Sequence, residues 1–209
     1  VNFDRDWIDD ARRYYTNIVG KYGPFVQAAL KKAGTIDIKM ICPLHGPVWR
    51  KDFGYLLEKY DKWSRYEPEE KGVVIIFGSM YGNTQFAAQA LATRLCDRGM
   101  TNVKVYDVSS THISYLIAET FRASNIVLAC PTFNLGIYPP MKNYLIDLQA
   151  LNVQNRTFTL IENGSWAPKS GALMAEFLEE ELKRMTVMDE TLSLNSSLKT
   201  LDEPDLDAM

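Results

Sequence analysis

From Gly72 onward the chain alternates short apolar runs with amphipathic stretches, and this alternation restricts the fold more than any other property. Val73-Val74-Ile75-Ile76-Phe77, Ile126-Val127-Leu128-Ala129-Cys130 and Thr157-Phe158-Thr159-Leu160-Ile161 are apolar on both faces. Such strands have to be covered above and below, which is the environment of a parallel sheet wrapped by helices. Val103-Lys104-Val105-Tyr106 and Thr191-Leu192-Ser193-Leu194 alternate instead, as edge strands with one wet face do. Between these runs, apolar residues fall at helical spacing: Ala87, Leu91 and Leu95; a shorter stretch from Ser114 to Arg122; Met141, Tyr144, Leu145 and Leu148; and Met174, Phe177, Leu178 and Leu182. Three interior strands and two edges predict an α/β fold, a doubly wound five-stranded parallel sheet in the order 2-1-3-4-5. Its topological switch point falls between strands one and three.

The first 66 residues read differently. Trp7, Ala11, Tyr14, Tyr15 and Ile18 predict one helix, and Phe25, Val26, Ala29, Leu30 and Ala33 a second that stops at Gly34. Ile36 to Cys42 is expected to be a short strand ended by Pro43, and Phe53 to Tyr66 a third helix. Glu67-Pro68-Glu69-Glu70-Lys71 is the expected linker, which divides a mostly helical segment (1–66) from the sheet domain (72–209). The chain opens on Val1 rather than Met, and the last covering helix is expected to be cut within its first turn at Asp205-Leu206-Asp207-Ala208-Met209. Both fit a piece of something longer.

Composition narrows the partners. A net charge of -3 provides no basic excess for a nucleic-acid backbone or an anionic membrane surface. No apolar run approaches the length of a membrane span. Cys42, Cys96 and Cys130 are odd in number and widely spaced, which indicates neither a disulfide framework nor a thiolate metal site and fits a reducing, cytoplasmic setting.

Three interior strands end in polar, glycine-bearing loops: Ser79-Met80-Tyr81-Gly82-Asn83-Thr84, Pro131-Thr132-Phe133-Asn134-Leu135-Gly136 and Glu162-Asn163-Gly164-Ser165-Trp166-Ala167. Open α/β sheets bind ligands at that edge. In the first loop Ser79, Tyr81, Asn83 and Thr84 supply neutral polar groups, Gly82 allows close backbone approach, and the following helix aims unpaired N–H groups at the loop, a phosphate cradle. No Lys or Arg lies between Ser79 and Thr93, unlike a Walker loop, whose lysine is required. Taken alone, this loop reads equally well as an ordinary capped turn. Thr132 and Asn134 offer hydrogen bonds, Phe133 a flat wall, and Leu135 and Gly136 complete a loop able to follow a ring edge. Asn163, Gly164 and Ser165 offer backbone donors, and Trp166, next to Ala167, a second flat surface. A planar, polar-edged aromatic ligand with one phosphate would use all three loops, and flavin mononucleotide (FMN) is such a ligand. The turn after strand one lacks the three-glycine nicotinamide pattern, and it lacks the acidic pair of a phosphorylation receiver.

Residues 72–209 resemble the flavodoxin domain. The Ser79–Thr84 and Pro131–Met141 segments, the second continuing as Ile137-Tyr138-Pro139-Pro140-Met141, are similar to the version found in flavodiiron proteins, or A-type flavoproteins. Ile41-Cys42-Pro43-Leu44-His45-Gly46-Pro47-Val48-Trp49-Arg50 resembles the end of that family's β-lactamase-like diiron domain, with His45 at the position of its last iron-ligand histidine. The resemblance implies an FMN relay. Electrons would come from a donor such as rubredoxin or a reduced flavin protein and pass to a diiron site that reduces dioxygen or nitric oxide. Two subunits would pair head to tail. It gives the first loop the phosphate, Thr132 to Gly136 the N5 and carbonyl side of the ring, and Asn163 to Ala167 the opposite pyrimidine side. No catalytic residue is expected in this chain. Tyr81 stands where ordinary flavodoxins have a threonine. His45 and His112 are the only histidines, too few for a diiron centre, and His112 is expected to cap a helix. A free-standing flavodoxin-like or quinone-reductase-like flavoprotein, and an FMN-binding module without turnover, are the alternatives.

Overall fold

The computed structural model describes residues 6–209; residues 1–5, where the expected helical segment begins, lie outside the described residues. Ahead of the sheet, the α-helices given in full among the described residues are α1 (Ile8–Ile18), α2 (Gly23–Ala33) and α3 (Phe53–Ser64). The sheet unit follows as β1 (Glu70–Phe77), α4 (Asn83–Asp97), β2 (Val103–Asp107), α5 (Ile113–Arg122), β3 (Ala123–Phe133), β4 (Gly136–Ile137), α6 (Pro139–Ala150), β5 (Gln154–Asn163), α7 (Ser170–Glu180), β6 (Lys183–Leu194) and α8 (Glu203–Ala208). Among the described residues no helix is long and apolar enough to cross a membrane.

The sheet runs β2-β1-β3-β5-β6 with every neighbouring pair parallel, and β4 adds a short antiparallel partner to the end of β3. Without β4 this is the expected 2-1-3-4-5 order, the flavodoxin-like arrangement. Register aligns Val73 with Val103 on one side and with Asn125 on the other, and Asn125 with Thr157. Side chains then alternate between two cores. Val74, Ile76, Ile126, Leu128, Phe158 and Leu160 face α5, α6 and α7, while Val73, Ile75, Phe77, Val127, Ala129 and Ile161 face α4 and Leu206 of α8. Both faces are apolar because both are covered, and each fully buried Val, Leu or Ile contributes about 1.5–3 kcal/mol.

Two segments depart from the expectation. Residues 36–42 form no strand; their only ladder contact is an isolated bridge between Ile41 and Trp49. A strand needs a neighbour to satisfy its backbone groups, and here Ile36, Ile38 and Ile41 instead line an apolar cavity of about 350 Å³ with Leu30, Phe53 and Leu57. Asn134 and Leu135, expected in an open loop, form the two-residue turn of the β3–β4 hairpin with φ of 49° and 60°. Positive φ at both central positions matches the twist of the flanking strands.

The helical segment packs through Ile8, Ala11, Tyr15 and Trp63. The side chain of Glu69, just ahead of β1, is buried and joins that segment to the sheet. Its carboxylate accepts from Arg12, from Trp63 Nε1 at 2.6 Å and from Lys59 Nζ at 3.1 Å. His112 caps α5, its ring nitrogen Nδ1 accepting from the N–H of Ser114.

Candidate flavin site

The ends of β1, β3 and β5 meet at one edge, and their loops enclose a polar cleft. Met80, Tyr81, Asn83, Pro131, Thr132, Asn163, Gly164, Ser165 and Ser196 line it. In the first loop the Ser79 hydroxyl accepts from the N–H of Gly82 at 3.0 Å, and Gly82 takes φ +88°, a conformation that only glycine adopts at little cost. The loop is therefore shaped by its own residues before any ligand arrives.

Helix α4 starts at Asn83 on this cleft, and its first internal bond from the loop is Phe86 N–H to the Gly82 carbonyl. Among the described residues no side chain accepts from the N–H groups of Asn83, Thr84 or Gln85. The helix that follows β5 from this edge, α7, is capped. Thr132 Oγ1 accepts from the N–H groups of Lys169 and Ser170 at 2.9 and 3.1 Å, and Glu162 accepts from Gly171 at 2.9 Å. One helix end is closed by the protein and the other opens to the cleft. The open end, with its positive dipole and no neighbouring cation, suits a phosphate held by neutral donors.

The structure places the remaining expected residues unevenly. Asn163 is 5% exposed, and its amide is committed to protein: it donates to Thr84 Oγ1 at 3.3 Å and to the Ser196 carbonyl at 2.8 Å, and accepts from Ser196 N–H at 3.0 Å. Thr84 is buried below it. Gly164 turns where a Cβ would fall 2.9 Å from the backbone of Pro168, so no side chain fits. Phe133, Asn134 and Leu135 ride on the hairpin beside the cleft, with Phe133 edge-on to Tyr138 at 6.3 Å and Gly136 starting β4. Tyr81 is 90% and Trp166 88% exposed; Tyr81 lines the cleft, whereas Trp166 and Ala167 follow Ser165 outside its lining. Cys130, in β3 just ahead of Pro131, is fully buried, and burial pushes its thiol up to about 12. Ser196, on the loop after β6, went unread in the sequence; the polar run Asn195-Ser196-Ser197 at the end of the edge strand was its only signal.

The flavodoxin family matches residues 75–188 of this chain. The chain belongs to the flavodoxin family. Beyond the matched flavodoxin segment, it is similar to the nitric oxide reductase of Moorella thermoacetica, 31% identical over 178 residues that cover 84% of this chain and 43% of that protein. It is also similar to the rubredoxin-oxygen oxidoreductase of Megalodesulfovibrio gigas, 30% identical over 80% of this chain and 42% of that protein. The solved rubredoxin oxygen:oxidoreductase from Desulfovibrio gigas superposes with a TM-score of 0.84 at 26% identity, over 96% of this chain and 50% of that one. The chain thus spans about two-fifths of the length of the curated relatives it matches. It carries the flavodoxin-like domain of an A-type flavoprotein, and with that domain comes FMN as cofactor. The open α4 terminus, the glycine cradle and the neutral donor set fit that cofactor's phosphate. The diiron centre of full-length flavodiiron proteins has no such fit here. Among the described residues no group of three or more His, Cys, Asp or Glu side chains could hold a metal. His45 is exposed, its ring 5.0 Å from that of Tyr14.

Proposed function

We propose that this chain is the FMN-carrying electron-transfer part of a larger flavodiiron-type oxidoreductase. Bound FMN supplies reversible electron uptake and release; the protein holds and orients it. The uncapped start of α4 on a cleft shared by three strand-end loops is the observation that carries this reading. Ser79 to Thr84 hold the phosphate, Pro131 to Gly136 flank the N5 and carbonyl side of the ring, and Asn163 to Ala167 the pyrimidine side, with Trp166 and Tyr81 at the rim. Residues 1–66 are the end of a β-lactamase-like diiron domain, 67–71 its linker and 72–209 the flavin domain.

In the parent protein His45 is an iron ligand, and two subunits pair head to tail. The donor is a rubredoxin or a flavin reductase, and the terminal acceptor is dioxygen or nitric oxide. The likeness to rubredoxin-oxygen oxidoreductase and nitric oxide reductase supports those partners and acceptors. Three free thiols fit a cytoplasmic setting.

The purified chain should take up added FMN with retained flavin absorption bands, and anaerobic addition of reduced rubredoxin should bleach them. Replacing Asn83 and Thr84 by leucine and valine should abolish retention. Colourless protein that ignores FMN would sink the proposal, and an equally yellow double variant would sink the phosphate assignment.

A further inference from the structure

The geometry points to Ser196, on the loop after β6, as a fourth contact to the cofactor's phosphate. The inference rests on the assignment of FMN to this cleft and extends it to a strand end outside the three expected loops.

Ser196 lines the cleft together with Met80, Tyr81 and Asn83 of the first loop. Its backbone is held at φ +76°, a conformation that serine adopts only at a cost. Two hydrogen bonds from one buried side chain keep it there. Asn163 Oδ1 accepts from Ser196 N–H at 3.0 Å and Asn163 Nδ2 donates to the Ser196 carbonyl at 2.8 Å. The same Nδ2 reaches Thr84 Oγ1 at 3.3 Å, and Gly164 N–H donates to the Leu194 carbonyl at 3.0 Å, so loops one, three and the last are locked together. A backbone held this firmly fixes the direction of the side chain it carries.

That side chain meets the phosphate cradle. Asn83 Nδ2 donates to Ser196 Oγ at 3.3 Å, which brings the hydroxyl beside the first residue of α4 and its unpaired N–H groups. With Asn83 as donor, Ser196 keeps its own proton to give, and among the described residues no acceptor takes it. The cleft lining contains no Lys or Arg. A dianion there is held by neutral donors alone, so one further hydroxyl counts for more than it would beside a lysine. Hydrogen bonds to a charged acceptor are the stronger class.

Flavin-fluorescence quenching of the whole chain tests this with FMN and riboflavin, which lacks the phosphate. Ser196→Gly removes the hydroxyl and relaxes the backbone; Ser196→Ala removes it and keeps Cβ. Both should bind FMN about tenfold more weakly than the parent, about 1.4 kcal/mol, and both should bind riboflavin with unchanged affinity. Unchanged FMN affinity in both variants, or an equal loss for riboflavin, overturns the role of Ser196 and leaves the cleft assignment standing. A parent chain that binds neither flavin overturns both.

Discussion

Thr132 lines the cleft, yet its hydroxyl has other partners than the sequence led us to expect. From sequence it was a hydrogen-bonding group for a ring edge. In the fold its oxygen caps α7 by accepting two backbone N–H groups, so it positions the third loop. Thr132→Val should lower stability by about 1 kcal/mol, as loss of a cap does, and lower the melting temperature by roughly 2–4 °C for a chain of this size; Thr132→Ser should restore both. The thiols divide in the same residue-level way. Cys42 and Cys96 are exposed, whereas Cys130 is buried within β3 with its thiol pushed up to about 12. A disulfide reagent at pH 8 should therefore titrate two thiols quickly in the native protein and the third only after unfolding. Three fast thiols would mean that the end of β3 is open.

At the scale of elements, strands with two neighbours were legible and the lone one was not. Ile36 to Cys42 has the composition of a strand, yet backbone pairing is decided by what lies alongside, which composition does not report. The join between α3, α5 and β5 depends on a residue that gave no sequence signal. Arg156 is 2% exposed and donates to the carbonyls of Thr120 at 2.6 Å, Phe121 at 2.7 Å, Tyr66 and Gln154 at 2.8 Å, and Asn155 at 3.0 Å. Burial lowers its guanidinium to about 10, which still leaves it charged at neutral pH. One cation there closes the end of α5, the chain just after α3 and the start of β5. Arg156→Met fills the volume and leaves those carbonyls unpaired, and should cost about 3 kcal/mol, with urea unfolding midpoints as the readout. A loss below about 1 kcal/mol would mean that water replaces the guanidinium.

For the molecule as a whole, the contact between the helical segment and the sheet turns on Glu69 and Arg12. Burial raises the Glu69 carboxyl, but the hydrogen bond and charge of Arg12, with Trp63 and Lys59, outweigh it and hold the group below the usual carboxylate range. A carboxyl lowered in the folded state stabilises above its unfolded value, about 4.3, and that stabilisation is lost as pH falls through the lower folded value. Glu69→Gln leaves Arg12, 3% exposed, with Asp9 at 2.6 Å as its one carboxylate partner among the described residues, and should cost about 3 kcal/mol at pH 7. The difference in stability between parent and variant should shrink below about pH 4. A gap that stays constant from pH 7 to pH 3 would rule out this carboxylate as the junction's acid-sensitive group.

The sequence by itself determined the layered sheet, its strand order and the edge at which the loops gather, because apolar periodicity and turn residues are local and each strand declares its own cover. It also singled out the loop from which α4 starts on the cleft, since glycine, hydroxyls and a helix start lie within six consecutive residues, Ser79 to Thr84. Only the tertiary structure decided which polar groups are spent on the protein and which face the ligand. Asn163 is tied to Thr84 across 79 positions and to Ser196 across 33, and Thr132 to Lys169 across 37. Hydrogen-bond partners that distant are chosen by the packing of the sheet, after the local pattern has been used up.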